Sequence, residues 1–160
     1  MSKSFRAAGW VASRNVLTGV REAGFELDSS ATDRFWTNDE LAKFNIYARL
    51  GEVWPQVNQH TQPFKITTAA GELLEMPNTA AMADYVSAEE MDLHLKDVLT
   101  KAQAGEVRFV HFGFHFESAA RFIMRVAQTL AKWEGSNQIR FMTLEQAAQE
   151  YRRQTHDNQP

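Results

Sequence analysis

The chain has 160 residues, 44% of them hydrophobic, with a formal net charge of −3 and no cysteine. That length and composition fit one globular domain with a packed core, and the absence of cysteine excludes disulfides, thiolate metal sites and cysteine nucleophiles. A slightly acidic balance without a basic cluster argues against nucleic acid, whose binding rests on Lys and Arg neutralising phosphates, and points to a small or neutral partner.

The start, Met1-Ser-Lys-Ser-Phe-Arg6, carries no apolar signal region, and no window approaches 18 uninterrupted apolar residues. The expectation is a soluble, cytoplasmic chain without a membrane partner. Ser4 to Ala8 reads as a strand end, followed by a Gly9-Trp10 turn and a helix from about Arg14 to Ala23. Ser13 is its predicted N-cap, Val16, Leu17 and Val20 share one face, and Gly24 stands where a glycine stops a helix. Phe25-Glu-Leu-Asp28 follows as a short strand, which completes a β-α-β pattern. The loop from Ser29 to Thr37 holds Trp36, and Thr37-Asn-Asp-Glu40 has the capping-box spacing that opens a second helix through about Leu50.

Gly51 to Gln62 is predicted irregular, with Pro55 and Pro63 as breakers and Trp54 and His60 as surface aromatics. Pro63 to Thr68 and Glu72 to Met76 read as two strands around an Ala-Ala-Gly turn. Pro77 to Val86 is a loop carrying Asp84 and Tyr85. Ser87-Ala-Glu-Glu90 is a second capping box, and Met91, Leu95, Val98, Leu99 and Ala102 keep helical spacing up to Gly105.

Glu106-Val-Arg-Phe-Val-His-Phe-Gly-Phe-His-Phe-Glu-Ser118 is the stretch that draws attention. It reads as a buried strand delivering His115 to a strand-to-helix turn. In α/β architectures the carboxyl ends of strands are where ligands and chemistry sit, so His115 is the first functional candidate. His111 would share a metal with it only if the two rings met, but four residues along a strand set them roughly 13 Å apart. His111 is therefore expected to be a hydrogen-bonded core histidine. Ala119, Ile123, Val126, Leu130 and Trp133 form a core stripe on the next helix, Ile139 to Met142 a last strand, and Thr143-Leu-Glu-Gln146 a third capping box. Strands alternating with helices predict an α/β fold, one domain over residues 1–153, with a polar tail at 154–160.

Three of these stretches together resemble the C-terminal part of the polysaccharide deacetylase family, metal-dependent carbohydrate esterases built on a distorted (β/α) barrel. Phe5-Arg-Ala-Ala-Gly-Trp10 with Gly24 to Ser30 is similar to the family's arginine motif and the strand after it. Val110 to Glu117 is similar to the late motif whose histidine follows a strand, and Phe141 to Ala148 to the terminal strand and helix. The resemblance implies a partial (β/α) barrel of mainly parallel strands, and a hydrolase acting on amide or N-acetyl C–N bonds of a glycan or another N-acylated small substrate. It implies that Arg6 orients a catalytic aspartate, that His115 is the general acid, and that Trp10, Asp84 and Tyr85 line the substrate groove.

The family's zinc-type divalent metal is held by paired aspartates and a His-x-x-x-His motif that precede the arginine, where this chain has only five residues. No metal ligand or cofactor is therefore assigned to it, and no unaided deacetylase activity is expected. Two alternatives are a non-catalytic carbohydrate-binding remnant and a self-associating α/β protein. If the front of a barrel lies elsewhere, Phe5, Trp10, Phe25 and Leu27 should be left uncovered, and a second copy, the missing N-terminal segment or the Gly51–Gln62 loop should cover them.

Overall fold

The computed structural model describes residues 3–33, 45–79 and 82–157. Trp36 and the Thr37–Glu40 capping box lie outside the described residues. Helices begin where side chains can satisfy the first unpaired amides. Ser13 accepts from the Val16 amide at the start of α1 (Arg14–Glu22). Ser87 and Glu90 form a reciprocal box at α3 (Ala88–Lys101). Thr143 and Gln146 exchange bonds in the same way at α5 (Leu144–Asp157). The other helices among the described residues are α2 (Ile46–Val53) and α4 (Ala119–Trp133). Helix α5 continues beyond Arg153 into the expected tail.

Four strands, β1 (Ser4–Phe5), β2 (Leu27–Asp28), β3 (Phe64–Thr68) and β4 (Gly71–Glu75), form one open mixed sheet in the order β1-β2-β4-β3. β1, β2 and β4 run parallel, while the hairpin strand β3 is antiparallel to β4, as its short Ala-Ala-Gly connection requires. The fold is thus α/β with a mixed sheet. Successive residues of β4 face opposite ways. Leu73 packs with Leu17 and Val20 of α1 and Leu50 of α2, and Leu74 and Met76 pack with Ala148 and Tyr151 of α5.

Several expectations need correction. Residues 106–112 form no ladder: Phe109 bonds both ways with the Gln62 side-chain amide, the His111 amide reaches Thr79 Oγ1, and only Gly113 bridges to Met82. Ile139 to Met142 likewise forms no strand. At Phe109 the backbone finds a side-chain amide instead of a neighbouring strand, so the apolar composition alone did not make a strand.

Trp54, expected at the surface, is buried, because its ring closes the cluster of Trp10, Ala12, Leu17 and Leu50 and its indole N–H donates to the Trp10 carbonyl at 2.8 Å. Trp54 lies in the Gly51–Gln62 loop, one of the covers expected for the early apolar residues, and it packs in the cluster of Trp10, Phe5 and Phe25, whereas Leu27 is buried with Leu74, Met76 and Ala148. Trp10 and Leu27 are buried, and Phe5 and Phe25 are partly buried, edge to face at 5.8 Å. On α4, the expected core stripe is only partly covered: Val126 packs with Phe122 on Ala83, Val86 and Met91, but Ile123 is exposed.

No helix among the described residues is long and apolar enough to cross a membrane.

Candidate functional site

Trp10 follows Gly9 in the 3-10 turn after β1, and both have positive φ, 61° and 59°. Glycine adopts that conformation freely, whereas a bulky residue pays strain for it, of order 1–3 kcal/mol. The surrounding structure holds Trp10 there through the Trp54 bond to its carbonyl and through burial of its ring. The consequence is a tryptophan ring set against His115, 5.8 Å between centroids.

His115 is the last extended residue before the turn Phe116–Ser118 that leads into α4. Its ring lies 5.8 Å from the Trp10 ring and 5.9 Å from the Tyr85 ring, and the two flanking rings are 6.0 Å apart, all edge to face. Asp84 completes the group. Its Oδ2 meets His115 Nδ1 at 3.1 Å and accepts from Ser118 Oγ, while its Oδ1 accepts the His115 amide at 3.2 Å. Burial pushes the Asp84 carboxyl up, but the bonds from Ser118 and from the amide and ring of His115 outweigh it and hold the group below the usual carboxylate range. The Asp84 side chain is 11% exposed and that of His115 35%, so the carboxylate is tucked behind a ring that reaches solvent. Phe116, the next residue, is 91% exposed.

Four residues expected from the resemblance, Trp10, Asp84, Tyr85 and His115, therefore meet in one place. Both Asp84 oxygens are engaged by His115 and Ser118, which places this carboxylate to hold the orientation of the histidine.

Arg6 belongs to a neighbouring, deeper group. Its Nε donates to the Ser29 carbonyl at 2.9 Å, and its Nη2 to Ser29 Oγ at 2.7 Å and to His111 Nε2 at 3.1 Å. Its Nη1 faces the Met82 thioether at 3.9 Å. Burial lowers the Arg6 pKa, and Glu75 and Asp28 oppose that. His111 is pulled down to about 3, first by burial and then by the Arg6 charge, against a hydrogen bond to the Met76 backbone. It is a neutral, hydrogen-bonded ring. Gly113 joins the two groups: a Cβ there would stand 2.7 Å from Met82 Sδ and 3.3 Å from Arg6 Nη1, two residues before His115 in the chain. A side chain at this position would require Met82 to shift.

His111 and His115 thus have separate partners, a cation and a carboxylate. Among the described residues no three His, Asp or Glu side chains converge as metal donors, so the zinc implied by the resemblance finds no donor set in them. Trp10, Asp84, Tyr85 and His115 were each named from the resemblance, but the Asp84–His115 contact, the Arg6–His111 bond and the place of Ser118 were not expected. The signal for Ser118 is its place three residues after His115 at a helix start, where hydroxyls bond locally.

Compared with family models, curated proteins and solved structures, the chain matches none.

Proposed function

We propose that this chain carries the acid half of a polysaccharide deacetylase-like site, in a partial (β/α) barrel, and that it binds an N-acylated sugar against His115. The observation that carries this reading is the His115 Nδ1 to Asp84 Oδ2 contact of 3.1 Å, set edgewise between Trp10 and Tyr85. A carboxylate on Nδ1 fixes the ring's orientation and stabilises the imidazolium, which leaves Nε2 as the nitrogen that serves a substrate.

Hydrolysis of an N-acyl bond places a hydroxyl on the acyl carbon and a proton on the departing nitrogen. In this reading the imidazolium form of His115 gives its Nε2 proton to the nitrogen as the C–N bond breaks, its Nδ1 proton stays on the ring in the bond to Asp84, and the proton shed by the attacking water restores the imidazolium. Asp84 and Ser118 position the acid, and the aromatic edges of Trp10 and Tyr85 exclude water from the leaving group. No group among the described residues is assigned to activating the attacking water. In the complete site Arg6 serves as a fixed guanidinium fork, already anchored on Ser29 and His111.

The test is calorimetric titration of the full chain with an N-acetylglucosamine oligomer and, as control, the same oligomer without acetyl groups. Binding of the acetylated sugar alone, lost in His115→Ala and weakened in Tyr85→Ala with circular dichroism unchanged, is the expected result. Equal or absent binding of both sugars at millimolar concentration would rule the assignment out.

A further inference from the structure

Two acidic residues outside this site carry an inference of their own. Asp28 and Glu75 are the last residues of β2 and β4 and are direct register partners across the parallel pair. Both are fully buried. One oxygen of each is satisfied: Asp28 Oδ1 accepts from Ser30 Oγ at 2.7 Å, and Glu75 Oε1 accepts the Ala31 amide at 2.9 Å. The other two, Asp28 Oδ2 and Glu75 Oε2, have no donor among the described residues. Two ionised buried carboxylates side by side would leave two unsatisfied acceptors and a like-charge repulsion, both of which destabilise the fold. One proton removes both costs, because it turns an acceptor into a donor aimed at the other acceptor.

We infer that Asp28 and Glu75 share a proton, held by Glu75 and donated to Asp28 Oδ2, and that this bond is a positioning device for the strand ends that carry Arg6 and Ser29. The bond closes a chain. The Ala7 amide donates to Ser30 Oγ at 2.9 Å, Ser30 donates to Asp28, Glu75 bridges Asp28 to the Ala31 amide, and the ends of β1, β2 and β4 are thereby locked together. Arg6 and Ser29 sit one residue from this chain on either side.

The charged and titratable groups around the pair agree. Arg6, from the end of β1, is the cation that acts on both acids, and His111, from the 106–113 segment, reaches them only through Arg6. α1 and α2 bring apolar Leu17, Val20 and Leu50 to this face of the sheet, and α5 packs on the other. Burial, then the Asp28 charge and hydrogen bond, raise Glu75 well above the usual range, against the Ala31 amide and Arg6. The shared proton stands on the pair's own geometry; its value to the sugar site rests on the function proposed above.

Infrared spectra of the full chain test it, because a neutral carboxylic acid has a C=O stretch distinct from a carboxylate. At neutral pH one such band is expected, shifted by carbon-13 glutamate, unmoved by carbon-13 aspartate and lost in Glu75→Gln. The glutamine is expected to fold, since its Oε1 still accepts from Ala31 and its Nε2 donates to Asp28. Should that variant not fold, Asp28→Asn gives the second reading: its amide donates to Glu75, which ionises, and the band is again lost. A folded wild-type chain with no neutral carboxyl band at pH 7, or a band that moves with labelled aspartate, would overturn the inference. Neither outcome depends on sugar binding, so this claim and the proposed function fail separately.

Discussion

The indole N–H of Trp54 donates to the backbone carbonyl of Trp10 at 2.8 Å, which ties the segment after α2 to the one non-glycine residue of the site held at positive φ. The bond holds a strained backbone and satisfies a carbonyl beneath a buried ring. Replacing Trp54 with Phe keeps most of the apolar volume and removes the donor. We expect a loss of about 1–3 kcal/mol in urea denaturation, the usual cost of a buried acceptor left without its partner. Trp10 should also relax from His115, and a ring-current change at the His115 protons in Trp54→Phe checks that step.

Gly113→Ala tests the seam between the Arg6 and His115 groups. A methyl at 2.7 Å from Met82 Sδ has to displace that buried side chain, and behind it stands Arg6 Nη1 at 3.3 Å. Overpacking of this kind costs roughly 1–3 kcal/mol. The variant should fold with a lower urea midpoint and should bind the acetylated oligomer more weakly than wild type. An unchanged midpoint would mean that Met82 moves aside freely.

Acid should destabilise the chain through two rings. His94 is lowered to about 4, by burial first and then by the His60 ring and Lys101 against Asp97, and His111 is lowered to about 3. A folded pKa below the unfolded value of 6.5 contributes stability that is present above pH 6.5 and lost as pH falls toward the folded value. Glu75 acts in the opposite sense: its raised folded pKa gives stability that is full below 4.5 and declines as pH rises from there. The two senses are separated by difference. Relative to wild type, His94→Gln and His111→Gln should each flatten the stability profile between pH 6.5 and about 4, by at most on the order of 3 kcal/mol. Glu75→Gln should flatten it above 4.5. Thermal denaturation across pH gives all three differences.

Much of the local structure was legible because it is set by short-range chemistry. Ser13, the Ser87–Glu90 box and the Thr143–Gln146 box open helices where their spacing predicts, and the hairpin of β3 and β4 follows its Ala-Ala-Gly turn. What depends on distant partners was harder to read. The run from Glu106 to Phe112 is as apolar as a strand, yet strand formation needs a neighbour, and Gln62 takes that place at Phe109. Trp54 lies among polar residues and breakers in sequence, and nothing nearby in the chain reveals that Trp10 will offer it a buried carbonyl. Asp28 and Glu75 end two separate strands; an acid closing an apolar strand reads as a solvent face until register sets the two side by side. Trp10, Asp84 and Tyr85 were singled out through the resemblance alone, and His115 also from its place at the end of an apolar run; that the four meet, and that Asp84 turns toward the histidine, came from the structure.

Asp84→Asn isolates that orientation. The amide can still accept the His115 backbone N–H, but it no longer places a negative charge on Nδ1. Sugar affinity should fall less than in His115→Ala, because the aromatic rings remain, whereas the tautomer preference of His115 should weaken. Calorimetry and nitrogen-15 NMR on the same sample separate the two effects.

The most direct measurement is nitrogen-15 NMR of the His115 ring during titration with the N-acetylglucosamine oligomer. The account predicts that Nδ1 carries its proton toward Asp84 before and after addition, and that the Nε2 resonance moves in a saturable way with the acetylated sugar and not with its deacetylated counterpart. A ring whose Nε2 ignores the sugar, or whose proton lies on Nε2 with Nδ1 bare against Asp84, would contradict it.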